Sequence, residues 1–184
     1  RVAISKILAF YYYIVLKLIV RPDRPSSPFR GSGGFVYLRM HTFLFDLNGT
    51  MIDDMNYHIT AWHRILNDLG ATLSLEKMKA ECYGKNNELL ERMFPGRFTE
   101  AEKDIMSLEK EKKYQEQFKP HLKLLPGLNE FLQKAYEHHI RMAIGSAAIM
   151  FNIDFVLDNL SLRHYFDALL SADNVEKSKP DPET

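Results

Sequence analysis

The sequence predicts an α/β protein in which a parallel sheet carries a block of helices inserted after its first strand. Three observations predict this. Residues 42–45, 140–145 and 166–171 are short apolar runs of strand type. Helical periodicities separate them, so the strands are expected to lie parallel and to be joined by right-handed crossovers. Each run also closes on a loop bearing a polar residue, Asp46, Ser146 or Lys179. Those loops share the sheet edge where open α/β folds place their sites.

The chain has 184 residues, enough for one domain with a real core and a small insert. Lys plus Arg and Asp plus Glu are 24 each, so the formal net charge is zero. That balance argues against a broad basic surface, and no nucleic-acid partner is expected. Cys82 is the only cysteine, which rules out an intrachain disulfide, and no Cys/His cluster has zinc spacing. A monomer in a reducing cytoplasm is the expectation.

Thr42 to Phe45 reads as a buried strand that stops at the carboxylate of Asp46. Asp53 or Asp54 then caps a helix, with Tyr57, Ala61, Ile65 and Leu69 at helical spacing and Gly70 at its end. Ser74 opens a second helical region that is interrupted near Tyr83-Gly84. Asn87 to Phe94 continues it until Pro95-Gly96, and Thr99 caps a further helix running to about Phe118. The Glu and Lys residues of that helix read as a solvated face with charge pairs three and four apart. No strand signal falls among these helices. Pro126-Gly127 reopens the α/β pattern: helix 128–138, strand 140–145, helix 150–160, strand 166–171 and a loop from Ala172 to Pro182.

Both ends fall outside this pattern. Residues 7–20 are apolar except for Lys17, shorter than the roughly 20 residues that a membrane span needs. Arg21 to Gly34 is rich in Pro, Ser, Gly and Arg, as linkers are. Residues 1–39 are therefore expected to be an extension outside the domain, as translated upstream sequence rather than an anchor or an added helix. The core is expected over 40–54 and 120–184, and the helical insert over 55–119. The chain stops at Asp181-Pro182-Glu183-Thr184, within a loop signal. It reads as incomplete at the C-terminus, and inactive as it stands.

Asp46, Ser146 and Lys179, with Gly49-Thr50 and Pro180-Asp181-Pro182 beside them, form a constellation suited to phosphoryl transfer. Asp46 can attack phosphorus and carry the phosphoryl group. Thr50 and Ser146 can donate hydrogen bonds to phosphoryl oxygens, and Lys179 can neutralise charge. Magnesium suits such hard oxygen ligands and would bridge Asp46 and substrate.

Phe45-Asp46-Leu47-Asn48-Gly49-Thr50 resembles the first motif of the haloacid dehalogenase superfamily, usually Asp-x-Asp-Gly-Thr. Ala143-Ile144-Gly145-Ser146 resembles the second and Lys177-Ser178-Lys179-Pro180-Asp181-Pro182 the third. Tyr57-His58 with Ala61-Trp62, and Tyr83-Gly84-Lys85, resemble the cap of β-phosphoglucomutase-like members. The resemblance covers residues 40–184. It implies a Rossmann-like core, incomplete here, with a helical cap that closes over a small phosphorylated metabolite. It also implies catalytic roles at Asp46, position 48 and Lys179, and phosphate or substrate contacts at Gly49, Thr50, Ser146, Ala147, His58 and Lys85. Mg²⁺ would be held by the Asp46 carboxylate and the backbone carbonyl of Asn48.

Two positions depart from the pattern. Asn48 stands where the family places its general acid/base, a contribution of about 10²–10⁴-fold in rate. Asn87 stands where β-phosphoglucomutases carry a phosphate-gripping arginine. Three functions remain: a magnesium-dependent phosphatase or phosphomutase-like hydrolase, a catalytically silent member that binds phosphorylated ligands, or a non-phosphate enzyme such as a dehalogenase. Retention of Asp46 and Lys179 favours the enzyme, because a binder does not need a nucleophile. His58 is either a proton shuttle or hydrogen-bond partner of the catalytic loop, or a helix-face residue near the hinge. Deleting residues 1–38 is expected to leave the melting temperature and ligand binding unchanged in matched proteins. A loss of several kcal/mol would place the apolar run 7–20 against the core.

Overall fold

A computed structural model describes residues 42–177, 179, 181 and 183. The expectations for residues 1–39 lie outside the described residues. Strands β1 (Thr42–Phe45), β2 (Arg141–Gly145) and β3 (Ala168–Leu170) form one parallel sheet in the order β1-β2-β3. Thr42 pairs with Arg141, Phe45 with Ile144 and Ala143 with Ala168. β3 is shorter than its apolar run. Before it, the Asp167 carboxylate, rather than a strand carbonyl, takes the Met142 N–H at 3.1 Å. After it, Ser171 turns its hydroxyl to the N–H of Asp173 at 3.2 Å, which starts a helical turn.

Helices α1 (Met55–Asp68), α2 (Leu75–Glu81), α3 (Asn86–Met93) and α4 (Glu100–Phe118) follow β1, with no described strand among them. Helix α5 (Leu128–Glu137) precedes β2, and α6 (Met150–Asn159) joins β2 to β3. Two caps follow the sequence signals. Ser74 accepts from Lys77 N at 3.2 Å, and Thr99 forms a reciprocal box with Glu102. No described helix is long and apolar enough to cross a membrane.

Apolar side chains gather in two clusters. Phe45, Leu47, Leu132, Met142, Ile144, Ile153 and Val156 pack around the sheet, and Tyr114 and Phe118 reach them from the end of α4. Ile59, Trp62, Leu66, Leu73, Met78, Leu89 and Leu90 pack within the helical block. Trp62, at 2% exposure, belongs to this second core. The two-cluster packing leaves a seam between helices and strand ends, and polar groups fill it.

Helix α4 departs from the expected solvated face. Lys103, Ser107, Lys110 and Glu111 are buried on the same face as Tyr114 and Phe118, whereas Ile105 and Leu108 are exposed. The burial is tolerated because the charges are paired. Lys103 meets Glu91 and Glu100, and Lys110 meets Glu111 at 2.9 Å. Asp54 departs too. It occupies the N-cap position of α1 but makes no cap bond, because its carboxylate turns to the loop after β1.

Leu66→Ala is expected to destabilise the fold by about 2–5 kcal/mol, through lost apolar burial and a residual cavity. Leu108→Ala, at a position 40% exposed on the outer face of α4, is expected to stay within about 0.5 kcal/mol. Urea unfolding followed by circular dichroism checks both, and equal effects would contradict the inverted polarity of α4.

Candidate active site

The site begins where β1 ends. The carbonyl of Leu47 accepts from Thr50 N at 3.3 Å and Met51 N at 2.8 Å, which folds residues 47–51 into a tight loop. Gly49 is required there. Its φ is +67°, and an added Cβ would lie 2.9 Å from Met55 Cγ. Asp46 Oδ1 accepts from Leu47 N at 3.0 Å and from Lys179 Nζ at 3.0 Å. Lys179 also donates to Gly145 O at 2.7 Å, so it ties the ends of β1 and β2 together. Ser146 follows β2 and is buried. Its N–H donates to Leu170 O at 2.9 Å, and its hydroxyl oxygen accepts from Ala148 N at 3.1 Å. Three polar residues from three strand-end loops thus meet at one edge of the sheet.

A cleft of about 250 Å³ opens over this edge. Of the residues singled out from sequence, Asp46, Asn48, His58, Lys85, Ser146 and Ala147 line it. Gly49 and Thr50 lie in the loop beneath and do not. Lys179 reaches the site through its bond to Asp46. Lys85 comes from the opposite wall, where its ammonium donates to the carbonyl of Val175. Asn87 is not a lining residue. Its amide is turned away to Asp104 at 2.7 Å and its carbonyl to Ser107 at 3.0 Å.

Behind the loop runs a buried chain of polar groups, of which sequence reasoning singled out only His58 for the site. Asp54, with no exposed surface, accepts from Gly49 N at 3.0 Å, from Tyr114 OH at 2.6 Å, and from the side-chain amide of Asn48. His58 Nε2 lies 3.2 Å from the same carboxylate. Lys110 Nζ lies 2.6 Å from His58 Nδ1, and an ammonium can only donate. His58 is therefore neutral, with its proton on Nε2 and directed at Asp54. The 3.2 Å between Asn48 Nδ2 and His58 Nε2 is then the spacing of two donors converging on one oxygen. Glu111 closes the chain. It accepts from Lys110 at 2.9 Å, from Asn86 at 2.7 Å, and from Asn152 of α6 at 2.7 Å.

These contacts set the charge states. Burial pushes the Asp54 carboxyl up, but the hydrogen bond from His58, joined by Tyr114 and Asn48, outweighs it and holds the group below its ordinary value. Burial and the Lys110 charge push His58 down, against the pull of Asp54 and Glu111. Burial raises the Glu111 carboxyl, and Lys110, Asn86 and Asn152 more than reverse that. Burial and the Asp54 charge push the Tyr114 phenol up, so it stays a donor.

Among the described residues no group of three or more His, Cys, Asp or Glu is placed to hold a metal ion. The oxygens that Asp46 and the Asn48 carbonyl offer at the loop are hard donors. Magnesium keeps several waters and takes one or two carboxylates plus substrate phosphate, so this donor set fits it.

The profile of the haloacid dehalogenase-like hydrolase family matches residues 43–184. An uncharacterized protein of Haemophilus influenzae is 31% identical over 77% of this chain and 70% of its own length. Fructose-1-phosphate phosphatase YqaB of Escherichia coli is 26% identical over 81% of this chain and 78% of its own. The crystal structure of β-phosphoglucomutase from Clostridium difficile superimposes with a TM-score of 0.67 at 26% identity. The match covers 78% of this chain and 66% of that one.

Acid is expected to loosen the fold through the buried chain. The unfolded chain takes up these protons more readily than the fold, so stability falls as pH drops. The loss begins below His58's ordinary value of 6.5 and steepens below the ordinary values of Glu111, 4.5, and Asp54, 3.8. Melting temperatures measured from neutral pH downward check this. His58→Gln should remove the upper part of the decline, and a flat profile between about pH 7 and 5 in the unaltered protein would refute the assignment.

Proposed function

We propose that this chain, which belongs to the haloacid dehalogenase-like hydrolase family, forms the phosphoryl-transfer part of a magnesium-dependent phosphatase acting on a small phosphorylated metabolite. One observation carries the reading: Asp46, Ser146 and Lys179 meet at one sheet edge beneath a cleft sized for a small molecule. Both hydrogen bonds described for Asp46 fall on Oδ1, which leaves Oδ2 to face a substrate. In this reading Oδ2 attacks phosphorus, a bond forms between aspartate and phosphoryl group, and the ester oxygen leaves. Water then cleaves the acyl phosphate and releases inorganic phosphate.

The surrounding residues orient and neutralise. Lys179 offsets the charge of Asp46 and of the incoming phosphate. Ser146 donates to phosphoryl oxygens, with the backbone at Ala147 in support, and Thr50 and Gly49 act from the loop beneath, where the Gly49 N–H is already given to Asp54. Mg²⁺, held by the Asp46 carboxylate and the Asn48 carbonyl, would supply charge neutralisation at the transferring group. The leaving oxygen takes its proton from water, because the Asn48 amide has none to exchange. Turnover is correspondingly slow, short of the about 10²–10⁴-fold that a positioned acid adds.

Residues 55–119 act in this reading as a cap over a core made of 40–54 and 120–184. His58 and Lys85 bring the cap to the substrate. The relatives named fructose-1-phosphate phosphatase and β-phosphoglucomutase support a phosphorylated sugar as substrate. The zero net charge supports a metabolite rather than nucleic acid as partner, and the protein acts as a monomer in the cytoplasm.

Phosphate release from a panel of sugar monophosphates tests the reading in the full-length protein. Turnover is expected with Mg²⁺ and not with chelator. Asp46→Asn should abolish it, because an amide cannot form the acyl phosphate. Undiminished activity of that variant, or full activity in chelator, would overturn the mechanism.

A further inference from the structure

Asp54 uses both carboxylate oxygens on the same loop. Oδ1 takes Gly49 N at 3.0 Å and Oδ2 takes the Asn48 amide nitrogen. An ionised carboxylate only accepts, so the nitrogen of Asn48 must point to Asp54 and its carbonyl oxygen must point away. That oxygen lies 3.5 Å from Ser146 Oγ, on the cleft side. Tyr114 at 2.6 Å and His58 at 3.2 Å hold the carboxylate from behind and keep it from turning.

We propose that Asp54 is a positioning residue that makes position 48 a hydrogen-bond acceptor: it grips Asn48 by the amide and presents the carbonyl oxygen to the cleft. The inference rests on the phosphoryl-transfer reading for its role in the reaction, while the pairing itself rests on geometry alone. Asn48 accepts a hydrogen bond from the attacking water or a substrate hydroxyl, aligning it without taking its proton. The same geometry sets a rule for the two positions. An acid at position 48 would put a carboxylate oxygen against the carboxylate of Asp54, which is itself wholly shut away from solvent. Positions 48 and 54 therefore accommodate one acid and one amide.

The test compares the unaltered full-length protein with N48D, D54N and N48D/D54N. Each single change is expected to lower the melting temperature by several degrees, and the double variant to recover most of the loss. D54N should lower kcat about tenfold or more with KM within about twofold, because Asn48 is then free to turn its amide to the cleft. N48D should gain little, and N48D/D54N should exceed N48D in kcat by about tenfold, as an acid becomes admissible at position 48. A residue that only supports the fold would lower the melting temperature without this split between kcat and KM. If D54N does not fold, D54A replaces it, since a methyl group likewise releases the Asn48 amide and admits an acid at position 48. Additive melting shifts, or a rate gain in N48D alone, would overturn the proposal. If no substrate is turned over by any variant, the phosphoryl-transfer reading fails, and the melting cycle still decides the pairing.

Discussion

The structure turns on one carboxylate that has been taken out of water. Asp54 has no exposed surface, and a lone buried charge of that kind costs several kcal/mol. It is held because donors from three elements converge on it: Asn48 and Gly49 from the loop after β1, His58 from α1 and Tyr114 from α4. Hydrogen bonds to a charged group contribute about 1.5–3 kcal/mol each, which offsets the desolvation only while every donor stays in place. The loop under Asp46 is thereby fixed against two helices of the insert. Its conformation depends on tertiary contacts as much as on the glycine at its centre.

Two kinds of ion pair divide the work. The Asp46–Lys179 pair is partly open to solvent, and exposed pairs contribute about 0–1 kcal/mol to stability. Its value lies in placing opposite charges where a phosphoryl group would sit. The Lys110–Glu111 pair is almost wholly buried, and it passes a hydrogen-bonded chain from His58 across to Asn152 of α6. Removing one member would leave the other's charge buried without its counter-ion. In the proposed reaction the first pair serves chemistry, whereas the second serves architecture, although both join an acid to a lysine.

The sheet was legible because its signals are local. Apolar runs at 42–45 and 140–145 end in Asp46 and Ser146, and turn residues flank them. Apart from His58, the residues behind the site were not legible, because their partners are remote. Asp54 precedes a helix and looks like its cap, but Tyr114 stands 60 positions away in sequence. The buried face of α4 was hidden by composition, since lysines and glutamates usually mark solvent. A signal was present nonetheless. Tyr114 and Phe118 define the inward stripe, and stepping back from them by threes and fours reaches Lys110, Glu111, Ser107 and Lys103, all buried. Register, rather than residue type, marks that face.

Strand β1 pairs with β2 although about a hundred residues separate them, starting with Thr42 against Arg141. Closing so long a loop in an unfolded chain is entropically expensive, whereas the helices of the insert make contacts that are near in sequence. The order of assembly follows. The α1–α4 block is expected to condense early and shorten the effective loop, and β1 joins the sheet afterwards. Asp46 and its loop reach their places at that late step, when Lys179 and Ser146 can come alongside. The carboxylate at the heart of the site therefore gains its neighbours only through the pairing that closes this long loop.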